Sequence, residues 1–77
     1  GPKSEAMLAE VGIFDVREFL DTDPFVIYAK LKGRKLASLN FLYAIIGAQQ
    51  GKHWQEIKQE MREEILLRLD DMGLAPK

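Results

Sequence analysis

His53 and Trp54 are the only histidine and the only tryptophan of the chain, and they are neighbours. An imidazole beside an indole can stack on a nucleobase or hydrogen-bond a peptide, the most specific chemistry that two adjacent residues offer here. The pair also suits a plainer task, in which the tryptophan seals a core and the histidine sits at its rim. A chain of 77 residues hides only about 60% of the surface its unfolded form exposes, so a large aromatic can hardly be spared from the interior. The core role is therefore the expectation for Trp54.

Catalysis requires a nucleophile or carboxylate held beside a partner in a cleft. The acidic residues instead fall on faces of expected helices or at their caps, where solvated charge is their usual state. No paired constellation of the kind an active site needs is present, so no enzymatic activity is expected. With no cysteine there is neither a thiolate nucleophile nor a disulfide, and a single histidine cannot assemble a conventional zinc site. Neither a metal nor a cofactor nor a small-molecule substrate is expected.

Two stretches carry chemistry of a binding kind. "GPKSEAML", residues 1–8, leads a glycine turn into a helix whose free amides and positive dipole end lie beside Lys3, an arrangement suited to an anion. Gly1, Pro2, Lys3 and Ser4 would then contact a nucleic-acid phosphate without reading sequence; the alternative is an ordinary N-terminus. "KLKGRK", residues 30–35, sets Lys30, Lys32, Arg34 and Lys35 together with no acid among them. These cations can neutralise phosphates, steer the chain toward an acidic partner, or complement the negative end of a helix dipole. A formal net charge of −1 limits how tightly such a patch could hold DNA alone.

Helices must position these residues, because no stretch alternates apolar and polar side chains with period two. Ser4 is expected to cap a first helix running to about Glu10, with Met7, Leu8 and Val11 on one face and Gly12 as its left-handed end. Asp15 and Glu18 form a capping box for a two-turn helix whose buried stripe is Val16, Phe19 and Leu20. Asp23 and Pro24 start a third helix, through Phe25, Tyr28, Ala29 and Leu31 to a stop at Gly33. Ser38 caps a fourth, which from Leu39 to Ala48 leaves almost no polar face and is therefore the central one. Gly47 inside it costs about 1 kcal/mol against alanine, which makes sense where a neighbouring backbone packs close. Beyond Gly51, the residues Ile57, Met61, Ile65, Leu66, Leu69 and Met72 mark an amphipathic closing helix ending at Gly73. The fold class is thus expected to be all-α, a compact bundle of about five helices with the fourth wrapped by the others.

A composition of 47% hydrophobic and 30% charged residues describes an ordinary globular chain. The apolar run from Leu39 to Ala48 is only about half a membrane span and no charged-then-apolar leader precedes it, so a cytoplasmic protein is expected. The opening Gly1, in place of methionine, reads as the start of a fragment. Residues 1–77 are accordingly expected to be a single domain of a longer, two-domain protein.

"GPKSEAMLAEVGI" at residues 1–13, the basic "KGRK", and above all "SLNFLYAIIGAQQGKHW" at residues 38–54 resemble the C-terminal domain of the TfoX/Sxy family, bacterial regulators of competence and DNA transformation. The likeness runs from Gly1 to about Met72, although Ile57 and Lys58 stand where the family pattern places a proline. It implies a helical domain of the SAM-like or helix-hairpin-helix group that follows a separate N-terminal domain. It also implies a non-enzymatic role in switching on DNA-uptake genes, in concert with the cyclic-AMP receptor protein. One mechanism is a protein-interaction module that docks through a helix face onto that receptor protein, the polymerase or its own N-terminal domain. The other is a module that contacts the DNA backbone through the helix N-terminus at residues 1–4 and the basic loop at 30–35. The near-neutral charge and the acidic last helix favour the first.

Overall fold

The computed structural model describes residues 2–76. They form five α-helices: Pro2–Ala9 (α1), Val16–Asp21 (α2), Pro24–Gly33 (α3), Leu39–Gln50 (α4) and Trp54–Asp71 (α5). Among the described residues there is no strand, as expected of an all-α protein. The chain divides into two compact units, residues 1–38 with α1 to α3 and residues 39–77 with α4 and α5.

In the first unit, α1 begins at Pro2, ahead of the expected cap at Ser4, which lies inside the helix. Proline is well suited to a first helical position because it has no amide hydrogen to leave unpaired there. After α1, Gly12 takes a left-handed φ of 83°, its N–H donates to the Ala9 carbonyl at 3.0 Å, and the Ile13 N–H donates to the Leu8 carbonyl at 3.0 Å. This is the paired-bond helix end expected at Gly12. The Asp15 carboxylate caps α2 by accepting the Glu18 N–H at 2.8 Å.

The expected buried stripe of α2 does not form. None of its residues is buried; Val16 is 72% exposed and Leu20 51% exposed, while Phe19 is half-buried. A helix of six residues offers one inward place, and Phe19 and Leu20 point about 100° apart around the axis. Phe19 takes the place, and the face shared by Val16 and Leu20 is left in solvent.

Asp23 starts α3 as expected, accepting the Phe25 N–H at 2.8 Å with Pro24 next in line. Ile27, Tyr28 and Leu31 are buried. The stop differs from expectation, because Gly33 stays helical and Lys35 adopts the left-handed φ of 60°. The Lys35 N–H donates to the Lys32 carbonyl at 3.0 Å and the Leu36 N–H to the Leu31 carbonyl at 2.9 Å. Helix ends of this kind favour an apolar residue just after the left-handed one. Leu36 supplies it after Lys35, whereas after Gly33 the position would fall to Arg34.

In the second unit, α4 buries Leu42, Tyr43, Ile45, Ile46 and Gly47. On α5 the buried Ile57, Ile65 and Leu69 and the half-buried Met61 recur at every fourth position. Met72, expected in that stripe, stands outside the helix as its C-cap and is 39% exposed, just before Gly73 with φ 74°. Between the helices Gly51 has φ 70°, and the Lys52 N–H returns to the Gly47 carbonyl at 2.8 Å. A Cβ on Gly47 would lie 2.5 Å from the Lys52 carbonyl oxygen and 3.4 Å from the Trp54 nitrogen. The close backbone approach expected at Gly47 is thus that of the chain's own next turn. α5 needs no proline at its start, because the His53 Nδ1 caps it by accepting the Gln55 N–H at 3.2 Å.

Three substitutions follow from this packing, each read from chemical denaturation. Gly47→Ala lowers stability by about 1–3 kcal/mol, as an overpacked site does, against the gain that alanine brings in an open helix. Lys35→Gly raises it by about 0.5–1 kcal/mol by relieving the left-handed lysine. The Tyr43 hydroxyl is buried without a hydrogen-bond partner among the described residues, so Tyr43→Phe leaves stability unchanged or raises it by up to about 1 kcal/mol.

Candidate functional site

The basic stretch lies on the last turn of α3 and the cap that follows. Lys30, Lys32, Arg34 and Lys35 are all exposed, but two of them are engaged. Arg34 donates to the Glu10 carboxylate at 3.2 Å, and the Lys32 ammonium lies 6.0 Å from the centre of the Tyr28 ring. Arg34 and Glu10 are each more than half exposed, so the pair orients more than it stabilises. Among the described residues no ion pair holds Lys30 or Lys35. Cations in the last turn also complement the α3 dipole, and that structural role needs no ligand.

Of the opening candidates, Gly1 lies outside the described residues. Pro2, Lys3 and Ser4 belong to α1 itself, with Lys3 exposed and Ser4 half-buried. Arg34 is tied to Glu10 just past the C-terminal end of α1, whereas Lys3 and Ser4 lie at its start. At 1.5 Å per residue, about 10 Å of helix separates them along the axis. The structure therefore does not gather the two sequence candidates at one end of α1.

His53 is exposed and serves α5 as its cap, and its ring centre is 5.8 Å from that of the half-buried Trp54. A broad, solvent-open groove along α5 runs beside Trp54, lined by side chains such as Gln55, Lys58, Arg62 and Glu63. Nothing in it resembles a nucleophile set beside a base. Among the described residues no group of histidines and carboxylates could hold a metal ion, and no helix is long and apolar enough to cross a membrane.

Sequence reasoning missed the feature that stands out on the first unit. Phe14, Val16 and Leu20 are 75%, 72% and 51% exposed. Phe14 and Val16 line a groove of about 450 Å³ together with Leu8, Ile13 and Phe19, and its charged lining is Glu5 and Asp15. The apolar spacing on α2 was visible in the sequence, but spacing alone does not say whether a face is covered. Beside the groove the two capping-box carboxyls diverge. The Glu18 N–H and side chain hold the Asp15 carboxyl below the usual range, and the hydrogen bond and charge of Asp15, with some desolvation, push Glu18 up.

A family model described as the TfoX C-terminal domain matches residues 1–69. The chain belongs to the TfoX C-terminal domain family. It is thus a domain of the kind associated with competence and DNA transformation. No curated protein and no solved structure matches it. The stretch that carries the resemblance, residues 38–54, is α4, the Gly51 turn, the His53 cap and the first residue of α5. In this TfoX-type domain the longest identifying stretch closes a helical hairpin, while the identifying residues 1–13 supply Glu5, Leu8 and Ile13 to the exposed groove of the other unit.

The carboxyl pair gives a pH test. In a carboxyl-detected NMR titration Asp15 has a midpoint below its ordinary 3.8 and Glu18 one above its ordinary 4.5. The Asp15 contribution to stability is present above its ordinary value and lost as pH falls through the lowered midpoint. The Glu18 contribution has the opposite sign, being present in acid and lost as pH rises through the raised midpoint. Asp15→Asn removes the neighbouring charge and moves the Glu18 midpoint down.

Proposed function

We propose that this TfoX C-terminal domain is a non-enzymatic protein-interaction module of a competence regulator, acting in transcription activation in the bacterial cytoplasm. The observation that carries the reading is the exposed apolar surface of Phe14, Val16 and Leu20. Large apolar side chains clustered in solvent mark surfaces that another macromolecule covers. The family resemblance supplies the candidate partners: the cyclic-AMP receptor protein, the polymerase, or an N-terminal domain of the same regulator. The exposed cations at 30–35 assist by steering an acidic partner into encounter.

A second reading is favoured by Lys30 and Lys35, which enter no ion pair among the described residues. Here Lys30, Lys32, Arg34 and Lys35, with Pro2, Lys3 and Ser4 at the start of α1, would contact DNA phosphates while a partner supplies sequence specificity.

Fluorescence anisotropy of the chain with a short labelled duplex separates the two at about 50 mM and about 200 mM salt, a range over which several phosphate contacts change affinity by orders of magnitude. The interaction reading expects no binding of the duplex at either salt, and direct binding of the purified receptor protein or polymerase. Micromolar duplex binding that collapses at the higher salt would overturn it in favour of the second reading.

A further inference from the structure

The groove of the first unit has an asymmetry that specifies its occupant. Its apolar lining comes from α1, the turn at Ile13 and Phe14, and α2, and its charged lining residues, Glu5 and Asp15, are both acidic. Glu5 enters no ion pair among the described residues, whereas Glu18, one turn along α2 from Asp15, lines a separate groove with Lys30 and adds nothing to this one. The other two charges of α2, Arg17 and Asp21, face each other at 3.9 Å and largely cancel. Lys3 is the cation of α1 nearest this region in sequence, and it does not line the groove. Val16 and Leu20, four residues apart on α2, extend the apolar face beyond the rim. An apolar floor between carboxylates repels an acidic ligand and attracts one whose own apolar stripe is flanked by cations. Among the described residues there is no strand edge to which an extended peptide could add, which leaves recognition by side chains in a groove.

We propose that the groove between α1 and α2, floored by Leu8, Ile13, Phe14 and Val16 and rimmed by Glu5 and Asp15, docks a basic amphipathic helix of a partner protein. The proposal rests on the interaction reading and narrows it to one face and one class of partner. The helix presents apolar residues at i, i+3 or i+4, and i+7 to the floor, and lysine or arginine beside them to the carboxylates. The basic residues at 30–35 do not line this groove and would meet an acidic surface elsewhere on the same partner.

The test titrates the full 77-residue chain, isotopically labelled, with a synthetic helical peptide carrying a leucine stripe flanked by lysines, and with the same peptide carrying glutamates in their place. Amide shifts in residues 5–20 are expected to move with the lysine peptide, and the glutamate peptide is expected to bind at least about tenfold more weakly. Phe14→Ser with Val16→Ser, both at exposed positions that the fold tolerates, is expected to weaken the lysine peptide at least about tenfold, while Leu67→Ser in the second unit leaves it unchanged. Equal binding of both peptides, shifts confined to other residues, or no shift at all would overturn the proposal. Dimerisation of the free chain that the double variant abolishes would give the face to a second copy and overturn it as well. The receptor protein or polymerase binding the double variant as tightly as the unaltered chain would sink this surface assignment and leave the interaction reading standing. Failure of those proteins, and of the regulator's N-terminal domain, to bind either form would instead remove the interaction reading itself.

Discussion

The second half of the molecule depends on a missing Cβ. At Gly47 the Lys52 carbonyl comes to where a methyl group would sit, 2.5 Å from an ideal Cβ, so any side chain there must displace backbone. That approach allows the tight return from α4: the Lys52 N–H closes on the Gly47 carbonyl, Gly51 supplies the left-handed turn, and His53 caps the next helix at once. With α5 started at Trp54, its apolar residues at 57, 61, 65 and 69 come into phase along one face. Lys52 to Glu60 at 3.1 Å and the Gln50 amide to the Met61 sulfur at 4.0 Å add two exposed ties across the turn. Neither contributes much beside the buried apolar face.

A small chain has little apolar surface to leave outside. Full burial of a valine, leucine or phenylalanine is worth about 1.5–3 kcal/mol. Against a total stability that is itself on the order of 5–15 kcal/mol, leaving Phe14, Val16 and Leu20 in solvent is a considerable forfeit. The three fall in or just before the shortest helix, which nevertheless has a well-formed N-cap. α2 is thus held in place by its cap at Asp15 and by Phe19, while its outer face is free to serve a partner. The charged residues that line the groove, Glu5 and Asp15, are both acidic, while Arg17 on α2 is turned to Asp21.

Much of the fold was legible because local chemistry decides it. Asp15 with Glu18, Asp23 with Pro24, and the glycines at 12, 51 and 73 each mark a helix boundary through a hydrogen bond or a φ value that few other residues supply. Gly47 was legible as a close approach, though not as an approach by its own following turn. The misreadings arose where two local rules compete or where the answer is tertiary. Pro2 and Ser4 both signal a helix start, and proline prevailed. At the end of α3 the apolar Leu36 moved the left-handed position from Gly33 to Lys35. On α2 the periodicity of Val16, Phe19 and Leu20 identified a face and could not say what covers it, so the candidate docking groove went unseen. The basic cluster was found from its charge alone, but its pairing with Glu10 and Tyr28 depends on the fold.

This chain buries one set of apolar side chains and holds another, at α2, in water. Solvent paramagnetic relaxation of the methyl groups, measured with a soluble neutral gadolinium chelate, tests this division most directly. Strong relaxation is expected of the Val16 and Leu20 methyls and weak relaxation of those of Ile27, Leu31, Ile57, Ile65 and Leu69. Val16 and Leu20 methyls protected as well as those of Ile57 and Leu69 would contradict it, because α2 would then offer no open apolar face for a partner to cover.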